Sequence, residues 1–334
     1  MRATGKPPAL AALAALAALL FLLLSLAAPA AADLPTGGRV IKVAPGTPIS
    51  VPSIAASLAQ DGDVVEIAAA EYAGDVAVWR QDNLTIRGVN GRPHLKAAGK
   101  AAEAKAIWVI RGDNVRIENI EFSGARVRDL NGAGIRSEGA GLVIENCYFH
   151  HNEMGVMSGK NLKSDIVIRN SEFFANIVPP HDGWEIGHNI YIGTVRSFTL
   201  VGSKIHGARH GHNVKSRAAV NNIIDNEIFD GPDGRSSYLI DLPAGGVAVI
   251  RGNRLHRNAS PDNTTLISYG AEKALHAENS LRVIANRIIN DYRKGIFIHN
   301  HLQVPAEVVE NHFTGPGTLL RGPGKLVDNR RTGG

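Results

Sequence analysis

The stretch Val115-Arg-Ile-Glu-Asn119-Ile-Glu-Phe122 returns as Leu142-Val-Ile-Glu-Asn146-Cys-Tyr-Phe149 and as Ile166-Val-Ile-Arg-Asn170-Ser-Glu-Phe173. Each copy sets aliphatics around a spacer, then Asn, then an aromatic residue. Weaker copies end on Gly88, Gly202, Asn226, Asn253, Asn286 and Asn311, at spacings of 24 to 33 residues. Repetition at this period marks a solenoid. Helical repeats would carry 3.6-residue periodicity in longer runs. Here the apolar runs are short, alternating and β-branched, and Gly or Asn interrupts them, which is strand chemistry with tight turns. The Leu-x-x-Leu-x-Leu framework of a leucine-rich repeat is missing. The expected fold is therefore a parallel β-helix, an all-β solenoid whose inward aliphatics stack coil on coil. Asn at the turn tolerates left-handed backbone and bonds its neighbour in the next coil. Phe149, Phe173 and Tyr148 read as core, and Cys147 as a buried repeat position.

Composition agrees. The chain has 334 residues, 36 of them Gly, one Cys and 5% aromatics. One Cys excludes a disulfide scaffold and a thiolate metal module. A hydrophobic share of 44% excludes a disordered chain. Residues 1–32 read as an export signal: Arg2 and Lys6, an apolar run from Ala9 to Leu26, then Ala30-x-Ala32. Cleavage places the mature start at Asp33 and the protein in the periplasm or outside the cell; a retained anchor is the alternative. The remaining 33–334 read as one domain, with 33–75 as N-terminal cap and first coil. The net charge of +5 loses two units with the signal, so pI says little about partners. The expectations are no nucleic acid, no membrane after cleavage, and a monomer.

The N-terminal segment carries a resemblance. Ile41-Lys-Val43, the stretch Ser53–Ala59, Gly62-Asp63-Val-Val-Glu-Ile67 and Tyr72 look like the cap of the pectate-lyase-like superfamily. The resemblance implies an all-β, right-handed parallel β-helix solenoid of about 8–10 coils. It leaves the chemistry open, because this scaffold hosts lyases, hydrolases, epimerases and non-catalytic proteins.

A second element repeats between the turns. Gly187-His188-Asn189-Ile190-Tyr191-Ile192 and Gly211-His212-Asn213-Val214-Lys215-Ser216 lie 24 residues apart and should stack as neighbouring strands. Alternation puts Ile190, Ile192, Val214 and Ser216 inward, and Asn189, Tyr191, Asn213, Lys215 and Arg217 outward. The outward column then runs Arg136, Met157, Tyr191, Lys215, Asp241, Ser268 and Phe297, flanked by Tyr238 and Tyr269. Seven of the 13 His fall between 150 and 212, and loops are expected there. The segment Asn176–Glu185, with His181 and Trp184, reads as a wall beside the column.

A groove along a β-helix face suits a linear polymer. β-Elimination on a uronate needs a cation on the carboxylate, a base for the adjacent C–H and an acid for the leaving oxygen. Arg217 fits the clamp, Lys215 or His212 the base, and Tyr191 or Tyr238 the acid. His188, Asn189, His210, Asn213, Tyr269, His181 and Trp184 are the candidate substrate contacts. Val214-Lys215-Ser216, followed by Ile223-Ile-Asp-Asn226-Glu-Ile-Phe229, is similar to the lysine-bearing strand of the alginate lyase and chondroitinase B group. That resemblance implies a lysine base and makes calcium a possible cofactor. The group's acidic calcium ligands have Ala208-Arg209-His210 in their place here, and its next-coil arginine has Asp241. Two roles stay open for Lys215: the base itself, or a carboxylate binder beside a His base. Structural roles stand beside these. Lys215–Asp241 also fits a cross-coil ion pair, and His188 and His212 fit turn residues bonding each other's backbone. No metal site is assigned, since His206-x-x-x-His210 has helical ligand spacing on a stretch that is not helical. The expected partner is an acidic polysaccharide; the alternatives are a non-catalytic exported β-helix that binds sugar or assists envelope assembly, and a hydrolase or epimerase.

Overall fold

The computed structural model describes residues 38–178 and 186–333. Three parallel sheets of 12, 10 and 11 strands run along it. Each coil gives one short strand to each sheet and pairs in register with the next coil, as Phe122, Phe149, Phe173 and Ile205 do. Ten coils are complete in all three sheets, at the upper end of the expectation.

The N-terminal end is closed as the sequence suggested. A strand at Val40–Val43 and one at Val64–Ala68 flank helix α1, Pro52–Leu58. Pro at the first turn starts a helix at no cost in hydrogen bonds. Ala55 and Ala56 are buried, and the helix packs beside the first strands of two sheets. No helix among the described residues is long and apolar enough to cross a membrane. The signal reading for 1–32 lies outside the described residues.

The core is the expected column of stacked aliphatics with a short aromatic run. Phe122, Phe149 and Phe173 stack at 5.0 and 4.7 Å. Cys147 is buried, and burial pushes its thiol up to about 12. Tyr148 departs from expectation: it is half-buried on the outer face, stacked on His150.

The turn column departs by one residue halfway along. Asn119, Asn146 and Asn170 take left-handed backbone (φ 56°, 50° and 50°), as expected of Asn at this turn. From Gly202 on, the left-handed residues are Gly202, Asp225, Gly252, Ala285 and Glu310. Asn226, Asn253, Asn286 and Asn311, one position later, turn inward and are buried. Their side-chain amides form a ladder, each Nδ2 donating to the next Oδ1 at 2.9–3.0 Å. Ser171 and Ser203 hold the same inward position upstream, each hydroxyl accepting the backbone N–H of the coil before. The repeat therefore continues through Asn226, but not in the register that spacing alone implied.

Candidate functional site on the ten-stranded sheet

The strands Met154–Ser158, His188–Ile192, Val214–Ser216, Ile240–Leu242 and Thr265–Tyr269 lie side by side in the ten-stranded sheet. Their register aligns Arg136, Met157, Tyr191, Lys215, Asp241 and Ser268 in one row. The next member is His299, not Phe297. Phe297 is fully buried and packs edge-on against Phe313; Ile296 and Ile298 pair with Thr265 and Ile267, so the row falls on the residue after them.

Five expected residues converge. Arg217 Nη1 donates to the Tyr191 hydroxyl at 2.6 Å, and Arg217 and Lys215 lie 5.4 and 5.9 Å from the Tyr191 ring centre. Lys215 Nζ is 3.8 Å from Asp241 Oδ2, and His212 Nε2 is 3.4 Å from the same oxygen. Tyr238 meets the His212 ring edge-on at 4.9 Å. The side chains of Lys215 and Arg217 keep 12% and 18% exposure, while Asp241 and His212 keep 4% and 6%. The cations are thus the accessible layer, with Asp241 and His212 beneath them.

A residue absent from the sequence reading completes the cluster. The loop 270–279 folds back over the row: the Glu272 N–H donates to Pro243 O, the Leu275 N–H to Ala244 O, and His276 Nε2 lies 3.1 Å from Arg217 O. It delivers Glu272, whose two oxygens accept from Arg217 Nη2 at 2.7 and 2.6 Å. Lys215 Nζ is 3.3 Å from the nearer oxygen. Nothing in the repeat pattern marks this loop. Its one signal was an acidic residue inside an insertion between strands.

Electrostatics follow burial. Burial pushes the Asp241 carboxyl up to about 6, against the pull of Lys215. Burial holds His188 down near 3, with Lys215 and Arg217 adding to the effect. Burial, with the same cationic surroundings and His188, holds His212 well below the ordinary histidine range. Both imidazoles are therefore neutral at physiological pH. For Arg217, burial acts to lower the guanidinium, but the Glu272 hydrogen bond and the surrounding negative charge outweigh it and leave it raised.

The other expected contacts fall elsewhere. Asn189 and Asn213 do not face outward. They are fully buried at the turn entering the sheet, in a ladder where Asn176 Nδ2 donates to Asn189 Oδ1 (2.9 Å) and Asn189 Nδ2 to Asn213 Oδ1 (2.8 Å). Strand alternation does not extend into that turn. His188 is buried, and its Nδ1 accepts the His212 N–H at 2.9 Å, the structural role open to it in the sequence. The coils approach so closely here that a Cβ on Gly211 would sit 1.6 Å from Gly187 O, which makes Gly211 obligatory. Tyr269 is core; it pairs with Leu242 and its hydroxyl donates to Gly246 O. His210 is exposed and faces Asp262 at 2.5 Å. His181 and Trp184 lie outside the described residues. The histidine-rich stretch is divided between sheets: His150 and His206 belong to the eleven-stranded sheet, not to this row.

The family described as a right-handed β-helix region matches residues 75–183. The structure is similar to that of an alginate lyase from Paenibacillus sp. str. FPU-7, with a TM-score of 0.62 and 15% identity, covering 86% of this chain and 99% of that one. The fold is a right-handed parallel β-helix of the pectate-lyase type. The β-helix of the pectate lyase Pel9A is similar too, with a TM-score of 0.55 and 15% identity over 90% of this chain and 81% of that one. No curated protein sequence matches this chain. At these identities the likeness is one of fold. The chemistry has to come from the row itself.

Proposed function

We propose that this β-helix is an exported carbohydrate-active protein, a lyase that cleaves a uronate-containing polysaccharide by β-elimination. One observation carries the reading: a carboxylate, that of Glu272, is already seated on Arg217 and Lys215. A sugar carboxylate entering there meets the same two charges. Neutralising it acidifies the adjacent C5–H, which is the electrostatic requirement of the reaction. Lys215 takes the C5 proton, the freed electron pair forms the C4–C5 double bond, and the C4–O4 bond breaks. The Tyr191 hydroxyl, held at the Arg217 guanidinium, gives its proton to O4. His212 and Asp241 position Lys215 from below. Upstream on the same sheet, a groove of about 200 Å³ lined by Arg136, Glu138, Ser158 and Lys160 extends the path along the row. The likeness in fold to an alginate lyase and a pectate lyase points the same way. Asp241 and Glu272 are both engaged with the chain's own cations, so calcium is assigned no ligands at this row.

The test is ultraviolet absorbance from unsaturated uronate, with product chain length, on a panel of alginate, pectate and glycosaminoglycans. Signal on one polymer that vanishes in Lys215→Ala supports the reading; no signal and no shortening on any of them sinks it. A second reading rests on the same Glu272. Both cations are already paired, as in a cross-coil ion network on a non-catalytic sugar-binding β-helix. It requires binding without turnover, and binding that survives Lys215→Ala.

A further inference from the structure

On the eleven-stranded sheet, away from the row, three stacked coils place His94, Glu121 and His150 together. Register aligns His94 with Glu121 and places His150 beside Ser123. His94 Nε2 is 3.5 Å and His150 Nε2 2.9 Å from Glu121 Oε1. One ligand atom from each residue lies within 4.8 Å of the other two. The opposite ring nitrogens also have partners: His94 Nδ1 is 3.8 Å from Glu71 Oε2, and His150 Nδ1 is 2.8 Å from His151 Nδ1. All three side chains are partly exposed, at 23%, 25% and 17%.

We propose that His94, Glu121 and His150 form a site for a zinc-class divalent metal. Two imidazoles and one carboxylate suit such an ion. In a tetrahedral site with bonds near 2.0–2.1 Å, ligand atoms sit about 3.4 Å apart. One short side-chain rotation brings the three donors to that spacing. Both ε nitrogens point at the shared carboxylate, leaving both δ nitrogens to outer partners that fix ring orientation, the arrangement that tunes a metal-bound histidine. Ser123 Oγ, 2.7 Å from His94 Nε2, releases that nitrogen when metal binds and turns its hydroxyl to the Glu121 carboxylate. The fourth position faces solvent. The pattern was present in the sequence: His94 and Glu121 lie one coil apart, and His150 lies in the next coil. Metal bound here ties three successive coils together.

The test is a titration of zinc chloride into the chelator-stripped full chain near neutral pH, followed by calorimetry, with cobalt(II) as a spectroscopic stand-in. One equivalent should bind, the cobalt spectrum should be that of a four-coordinate site, and the melting temperature should rise with metal concentration. His94→Ala, Glu121→Gln and His150→Ala should each lose at least about tenfold in affinity, while His256→Ala keeps it. Calcium chloride should give no binding. Melting without metal shows which variants are folded; Glu121→Gln, nearly isosteric, keeps the test decisive if an alanine variant is not. Absence of zinc binding to the native chain overturns the proposal, as does Glu121→Gln binding as tightly as the native chain.

Discussion

Both carboxylate oxygens of Glu272 lie within 2.7 Å of a single guanidinium nitrogen of Arg217. The glutamate comes from a loop and keeps half of its side chain exposed, so water screens the pair and a competing anion can reach it. A pair of this kind contributes up to about 1 kcal/mol. If Glu272 occupies the substrate carboxylate's place, Glu272→Gln tightens binding of an acidic oligosaccharide by about two- to fivefold, measured by calorimetry at fixed ionic strength. Weaker binding would instead make Glu272 part of the substrate contact.

Arg217 holds Tyr191 through one terminal nitrogen and Glu272 through the other. Lysine has one ammonium and cannot span both. Arg217→Lys should therefore lower kcat/KM about 10- to 100-fold on the active polymer, since a charge-assisted hydrogen bond contributes about 1.5–3 kcal/mol. The loss should appear in kcat as well as KM, because Tyr191 loses its alignment along with the clamp. A change confined to KM would remove Tyr191 from the chemistry.

Asp241 sets a pH dependence. Burial raises its carboxyl from the ordinary 3.8 to about 6, so the folded chain binds a proton more tightly there than the unfolded chain does. Its contribution to stability is present below about pH 4 and is lost as pH rises through 6. The full span is about 3 kcal/mol, at about 1.4 kcal/mol per unit. Asp241→Asn removes that slope. Denaturant unfolding at several pH values should show the variant gaining on the native chain between pH 4 and 7. Parallel curves would place the carboxyl near its ordinary value.

The coil repeat was legible because every coil solves the same packing problem. Inward aliphatics, a left-handed Asn and a 24-residue offset between His188 and His212 strands sufficed to align Tyr191, Lys215 and Asp241. Where the geometry left the strand, the sequence misled. Asn189 and Asn213 precede their strands' regular alternation, and the turn rotates their amides into a buried ladder. Tyr269 and Phe297 sit on the inward side of strands whose register is set by neighbours 27 to 33 residues away. Glu272 belongs to no repeat, so periodicity carried no information about it. The His94–Glu121–His150 group was hidden for the opposite reason: its members are ordinary outward positions whose meaning appears only when three coils are stacked.

His188 opposes Asp241 in sign. Its imidazole is fully buried, and burial holds it near 3, so the folded chain refuses a proton that the unfolded chain accepts. The stability it permits is complete above about pH 6.5 and is lost as pH falls toward 3. The loss reaches about 2 kcal/mol by pH 5. His188→Gln still offers an oxygen to the His212 N–H and does not titrate. Its acid unfolding should begin at lower pH than in the native chain. An unchanged acid limb would mean that His188 becomes protonated without unfolding.

The Asn ladder gives the sharpest stability test. Asn253 Oδ1 accepts from the Asn226 backbone N–H (2.9 Å) and from Asn226 Nδ2 (3.0 Å), while its own Nδ2 donates to Ile223 O (2.8 Å) and Asn286 Oδ1 (2.9 Å). It is almost fully buried, so water cannot replace a lost partner. Asn253→Ala strands a backbone donor and a backbone acceptor and should cost about 2–4 kcal/mol. Asn253→Ser should fall between alanine and the native chain, because Ser171 and Ser203 fill the same position upstream and accept the same N–H. Asn253→Asp should be no better than alanine at neutral pH, since it turns a donor into a second acceptor facing Ile223 O and Asn286 Oδ1. Urea unfolding ranks the three. If aspartate matches the native chain, the ladder's donor direction is the reverse of the one described.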